Sequence, residues 1–107
     1  MMEYATGYVD ACALADIPNG RHRAVVVGGH AVLVFRMDEQ LHAIENRCSH
    51  LDFPLDGGRQ IGCEIICRQH GARFDIRTGK VLGGPAVDPV RVFPARVVGD
   101  RVEVSLD

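Results

Sequence analysis

Four residues carry the chemistry legible in this chain. Cys48 and His50 stand in Cys-Ser-His, Cys67 and His70 stand in Cys-Arg-Gln-His, and sixteen residues, Leu51 to Ile66, separate the pairs. Each pair offers one soft thiolate and one imidazole, so the set is two sulfurs and two nitrogens. It suits a [2Fe–2S] centre in which one iron takes both thiolates and the other takes both imidazoles. The same donors would also satisfy a tetrahedral structural zinc. Zinc fingers usually place cysteines together and histidines together, whereas both pairs here are mixed, which favours iron–sulfur. Such a centre moves one electron at a time.

The elements that must position these donors read as β structure. Arg23 to Val27 and Ala31 to Met37 are apolar runs around Gly28-Gly29-His30, the pattern of a hairpin. Leu41 to Ile44 predicts a third strand that leads into the first donor pair. Ile61 to Cys67 predicts a short hairpin around Gly62-Cys63-Glu64 that ends at the second. Arg73 to Ile76 is a further short strand closed by Thr78-Gly79. Arg91 to Val98 and Arg101 to Leu106 flank Gly99-Asp100, a two-residue hairpin connection. Val102, Val104 and Leu106 alternate with Arg101, Glu103 and Ser105, so one face should be buried. Pro94 lacks a ladder donor and belongs at an edge or bulge. One helical turn is expected within Ala11 to Asp16.

Composition bounds the rest. A chain of 107 residues, 47% hydrophobic, with no Trp, can bury one modest core. A formal net charge of -2 provides no field for a polyanion, so nucleic acid is an unexpected partner. No apolar run reaches the length needed to span a bilayer, and the amino end reads as neither a signal peptide nor an anchor. A cytoplasmic protein without a membrane partner is expected. Of the four cysteines, Cys12 and Cys63 fall outside the donor set and are expected to be free thiols rather than a disulfide. His22, His30 and His42 are expected to be non-ligands, with His22 a solvated strand-end residue.

The paired motif resembles the Rieske iron–sulfur signature, and the following segment extends the resemblance. Gly71-Ala72-Arg73-Phe74-Asp75, then Thr78-Gly79-Lys80 and Gly84-Pro85-Ala86, is similar to the His-Gly-x-x-Phe-Asp, Thr-Gly and Gly-Pro-Ala succession of Rieske domains. The resemblance implies an all-β fold, a Rieske-type antiparallel sandwich or barrel over residues 1–107, with a smaller cluster-binding lobe inserted at about residues 46–86. It implies one [2Fe–2S] cluster held by Cys48, His50, Cys67 and His70, and a proline loop at Gly83-Gly84-Pro85 covering it. Gly71 is expected either to take positive φ or to let the backbone pass close to the metal. Leu51, Phe53 and Pro54 would form an apolar collar at the docking tip, although Phe53 fits equally well under the loop. The extra loop cysteines of high-potential Rieske proteins are missing, and Ala72 and Phe74 replace the hydroxyl residues that bond to the sulfurs there. The midpoint is therefore expected towards the bottom of the roughly −150 to +300 mV span of the class.

The implied function is that of the Rieske-type ferredoxin of bacterial ring-hydroxylating dioxygenase systems. It would be a monomeric electron carrier and not itself an enzyme, taking electrons from an NAD(P)H-dependent flavoprotein reductase and passing them to a terminal oxygenase. The small Rieske-like subunit of a nitrite reductase is the alternative, although such subunits often lack the ligands that are intact here. Donation to another oxygenase, such as a monooxygenase or desaturase, also stays open.

Overall fold

The computed structural model describes residues 7–49, 53–69, 71–84 and 88–106. Its strands are β1 (Tyr8–Ala13), β2 (Arg21–Val27), β3 (His30–Met37), β4 (Gln40–Glu45), β5 (Arg59–Ile61), β6 (Glu64–Ile66), β7 (Arg73–Asp75), β8 (Val81–Gly83), β9 (Val92–Phe93), β10 (Ala95–Val98) and β11 (Arg101–Ser105). They form three antiparallel sheets, ordered β1-β11-β10, β2-β3-β4-β9 and β5-β6-β7-β8. The all-β expectation holds. The helical turn is a single 3-10 turn, Leu14–Asp16, because β1 claims the residues before it.

The β2-β3-β4-β9 sheet is the middle layer, and this explains why β3 reads as an unbroken apolar run. Val32 and Val34 enter one core with Cys12, Ile17, Ala43, Phe93, Val102 and Val104. Their neighbours Leu33 and Phe35 point the other way, into a core with Ile44, Leu55, Ile65, Phe74 and Ile76. Successive strand residues face opposite sides, so a strand covered on both faces must be apolar throughout. The second of these cores also contains Cys48 and Cys67. The half that carries Cys48 and Cys67 is thus built directly on the back of the central sheet.

Pro94 marks a change of sheet. The single strand expected over Arg91 to Val98 is two: β9 pairs with β4, while β10 pairs with β11. Proline cannot donate to a ladder, but its carbonyl accepts the Ser105 N–H at 2.8 Å, so the corner stays bonded. In β11, Val102 and Val104 are buried as expected, but Ser105, expected on the wet face, is buried as well.

Candidate metal centre

Cys48 and Cys67 both lie on loops that extend from strand ends. Loop 1 leaves β4 and runs over residues 46–58, and loop 2 leaves β6 and runs over residues 67–72. They close in the same way. The Cys48 N–H donates to the Phe53 carbonyl at 2.7 Å, and the Cys67 N–H donates to the Ala72 carbonyl at 2.8 Å. Each cysteine is therefore the base of a turn spanning the same number of residues, with its histidine in the interval. Loop 2 is tightened again by the Gly71 N–H donating to the Cys67 carbonyl at 3.0 Å.

The two cysteines are each 1% exposed and belong to one core, and neither is in a disulfide. Two unbridged cysteines held in apolar surroundings at the bases of facing loops suit the sulfur half of a cluster, whose charge is tuned by burial and backbone amides. His50 and His70 lie outside the described residues, as do Leu51, Pro85 and Ala86. Among the described residues, no group of three potential metal donors comes together.

A third loop joins the first two. Gly84 has φ +83, and a Cβ there would lie 2.7 Å from both the Ala72 Cα and the Gly71 carbonyl oxygen, so its backbone rests directly on loop 2. Beyond it, the Asp88 carbonyl accepts the Ser49 hydroxyl of loop 1 at 2.5 Å. Gly84 and Asp88 thus each contact one of the two cysteine loops. Gly71 has φ +76 with nothing within 4 Å of its Cβ position, so backbone conformation is the reason for glycine among the described atoms.

Around the cysteines, Ala72 and Phe74 are fully buried and lack hydroxyl groups. Phe53 is 37% exposed and Pro54 is exposed, which favours the collar over packing beneath the loop for Phe53. Among the nearby arginines, Arg73 pairs with Glu64 at 3.1 Å and Arg77 with Asp75 at 3.7 Å. Arg68 instead lays its stem along Gly57. Cys12 and Cys63 carry free thiols as expected, and burial raises the pKa of Cys12 above its ordinary value.

His22 departs from its expected solvated role. Its Nε2 faces the Asp56 carbonyl of loop 1 at 3.3 Å, its Nδ1 pairs with the Gln60 carboxamide at 2.7 Å, and its ring lies 5.1 Å from Phe35. Asn46, just before Cys48, was not legible as functional from sequence. Its side-chain oxygen accepts the backbone N–H groups of Leu55 and Asp56 at 2.7 and 3.1 Å. The available signal was an Asn at a strand end before a loop, where its side chain readily bonds nearby backbone.

Comparison with known proteins agrees with this geometry. Residues 7–94 match the model of the Rieske [2Fe–2S] domain. The chain is 32% identical over 99 residues to the ferredoxin component of the naphthalene 1,2-dioxygenase system of Pseudomonas aeruginosa, covering 92% of this chain and 95% of that one. Its fold matches the ferredoxin of carbazole 1,9a-dioxygenase from Nocardioides aromaticivorans IC177 with a TM-score of 0.87 at 36% identity, covering 92% and 96% of the two chains. It also matches a chain in the complex of reduced oxygenase and oxidised ferredoxin in carbazole 1,9a-dioxygenase, with TM-score 0.85, 32% identity and 94% of each chain covered. A Rieske domain implies one [2Fe–2S] cluster. Motif, fold and loop closure thus converge: this chain belongs to the Rieske [2Fe–2S] family and groups with its small ferredoxins.

Proposed function

We propose that this protein is the electron-carrying ferredoxin of a multicomponent oxygenase that attacks aromatic rings. In this reading it accepts single electrons from an NAD(P)H-dependent flavoprotein reductase and delivers them to a terminal Rieske non-haem iron oxygenase. Cys48 and Cys67 hold one iron, and His50 and His70 hold the other. When bound, the cluster supplies a one-electron redox couple. The observation that carries the reading is the burial of both cysteines, at the bases of equivalent loops, in the core behind the central sheet. The relatives named as ferredoxin components of dioxygenase systems support the same role.

The chain's own residues do three things in this account. The core around Leu55, Ile65 and Phe74 keeps water from the sulfur side. The Gly84 and Ser49 contacts hold the third loop against the other two. Exposed Phe53 and Pro54, with Leu51, offer an apolar rim to a partner, in a small transient contact of the kind electron carriers use. With no hydroxyl at Ala72 or Phe74 to donate to the sulfurs, the centre has a low potential. We further read the chain as one domain over residues 1–107, monomeric and cytoplasmic, with its cluster lobe at about residues 46–86. Among the described residues no helix is long and apolar enough to cross a membrane.

The test is reconstitution. Purified holoprotein mixed with NADH, a flavoprotein reductase and a ring-hydroxylating oxygenase should make product formation depend on this chain. Product formed at the same rate without it, across a panel of such oxygenases, would contradict the role.

A further inference from the structure

We propose that Asn46 is a positioning residue for the cluster, holding loop 1 in its ligand-presenting shape through a brace that runs from Asn46 to Asp56 to His22. The proposal rests on the reading of Cys48 as a ligand. The Asn46 carboxamide oxygen accepts two backbone N–H groups, from Leu55 at 2.7 Å and from Asp56 at 3.1 Å. Its amide nitrogen donates to the Asp56 carboxylate at 3.2 Å. One side chain thus joins the start of loop 1 to its far end. The backbone N–H of Asn46 donates to the Ala31 carbonyl at 3.0 Å, which anchors the residue to the central sheet.

The brace continues past Asp56. The Asp56 carbonyl faces His22 on β2, and His22 in turn pairs with Gln60 on β5. Loop 1 is therefore tied to the central sheet at two places, and His22, which makes one of those ties, also joins the central sheet to the small one. Leu55 shows why this bears on the cluster. Its side chain is fully buried in the core that contains both cysteines, and its N–H is bonded to Asn46. Removing the carboxamide would leave that N–H without its acceptor, at a cost larger than the bond's net contribution. Asparagine is specifically suited to the position because one group must accept from the backbone and donate to a carboxylate. Aspartate could accept but would set a second negative charge against Asp56. A loop that presents metal ligands needs its supporting shell fixed in this way.

The test uses a charge-pattern swap in the holoprotein. Asn46→Asp places two carboxylates together, whereas Asn46→Asp combined with Asp56→Asn restores one donor and one acceptor in reverse. Two readouts are taken: the rate of visible bleaching in excess iron chelator, and the paramagnetic line shape after dithionite reduction. Far-ultraviolet circular dichroism checks the fold. The single variant should bleach about tenfold faster with a broadened line shape, and the swap should return to within about twofold of the parent. Gly99→Ala, at φ +62 in the turn between β10 and β11 with nothing within 4 Å of its Cβ position, should keep the parental line shape and bleaching rate.

Parental behaviour of Asn46→Asp overturns the proposal, as does a swap no better than the single variant. Equally fast bleaching of Gly99→Ala also overturns it, since general destabilisation would then explain the effect. If Asn46→Asp does not fold, the swap alone decides: parental bleaching supports the brace, and loss of the cluster overturns it. Cys48→Ser tests the ligand reading separately. A parental spectrum in that variant overturns the ligand assignment whatever Asn46 does.

Discussion

Gly84→Ala should loosen the contact between the Gly84 backbone and loop 2, and its effect can be separated into two parts. Gly84 has φ +83, a conformation that costs an alanine about 1–2 kcal/mol. Its Cβ would also sit 2.7 Å from the Ala72 Cα, 2.7 Å from the Gly71 oxygen and 3.0 Å from the Ala72 nitrogen. Carbon–carbon contact is normally about 3.5–4.0 Å, so the third loop must lift off loop 2. These are backbone atoms that cannot move aside by changing rotamer, and overpacking of this kind costs about 1–3 kcal/mol. The total is about 2–5 kcal/mol.

Gly20 provides the control. Its φ is +84 and nothing lies within 4 Å of its Cβ position, so Gly20→Ala carries the conformational cost alone. The contact therefore accounts for the difference between the two alanines. Taking about 4–8 °C per kcal/mol for a domain of this size, Gly84→Ala should melt about 4–24 °C below Gly20→Ala. The assay is thermal unfolding of the holoproteins at one scan rate, together with the bleaching half-life of each cluster in chelator. Gly84→Ala should also bleach faster. Equal melting temperatures for the two variants, or parental bleaching in Gly84→Ala, would refute the claim that the close packing of Gly84 on loop 2 protects the site.

Other consequences are similarly measurable. Glu39 sits at φ +64 in the turn between β3 and β4, where its exposed carboxylate bonds Arg36 at 2.7 Å. Glu39→Gly relieves about 1 kcal/mol of backbone cost and loses an exposed ion pair of about 0.5 kcal/mol, so the denaturation midpoint should rise slightly; a fall would mean that the Arg36 contact dominates. Ala72→Ser places a hydroxyl in the fully buried position after Gly71 and should raise the midpoint potential, measured by redox titration; an unchanged or lower value counts against hydrogen-bond control. Burial holds the His42 imidazole below its ordinary 6.5, with Arg77 adding to the effect and Asp75 opposing it. As pH falls below 6.5 the unfolded chain takes up this proton first, so stability is full above that value and declines through the lower folded pKa. His42→Gln should flatten urea-denaturation midpoints over that window, and an unaltered slope would assign the acid-side loss to other groups.

Much of the fold was legible because its signals are local. The Gly28-Gly29 and Gly99-Asp100 turns and the burial of Val102 and Val104 in β11 follow from residue type alone, whereas the change of sheet at Pro94 does not. β1 was missed because only Cys12 within Tyr8–Ala13 is buried, so its pattern does not alternate. β8 was missed because it is three residues long and ends in glycine. Both are held by pairing with distant strands, β11 for the first and β7 for the second. The central layer shows the converse. The unbroken Val32-Leu33-Val34-Phe35 run announced a strand, but only the third dimension shows that its two faces serve different cores.

The candidate site divides in the same way. Cys48 and Cys67 were singled out from spacing, because metal ligation restricts residue type severely. Asn46 and His22 were not, because each acquires its role from partners far along the chain, Leu55 and Asp56 for one and Asp56 and Gln60 for the other. An asparagine or histidine has many ordinary uses, and nothing in its immediate neighbours marks this one.

The central claim is unequal ligation, with cysteine on one iron and histidine on the other. Mössbauer spectroscopy of the oxidised protein grown on 57Fe reads it most directly. Two doublets of equal area with clearly different isomer shifts are predicted, one changing when His50 or His70 is replaced and the other when Cys48 or Cys67 is replaced. A single doublet from equivalent irons would contradict the account.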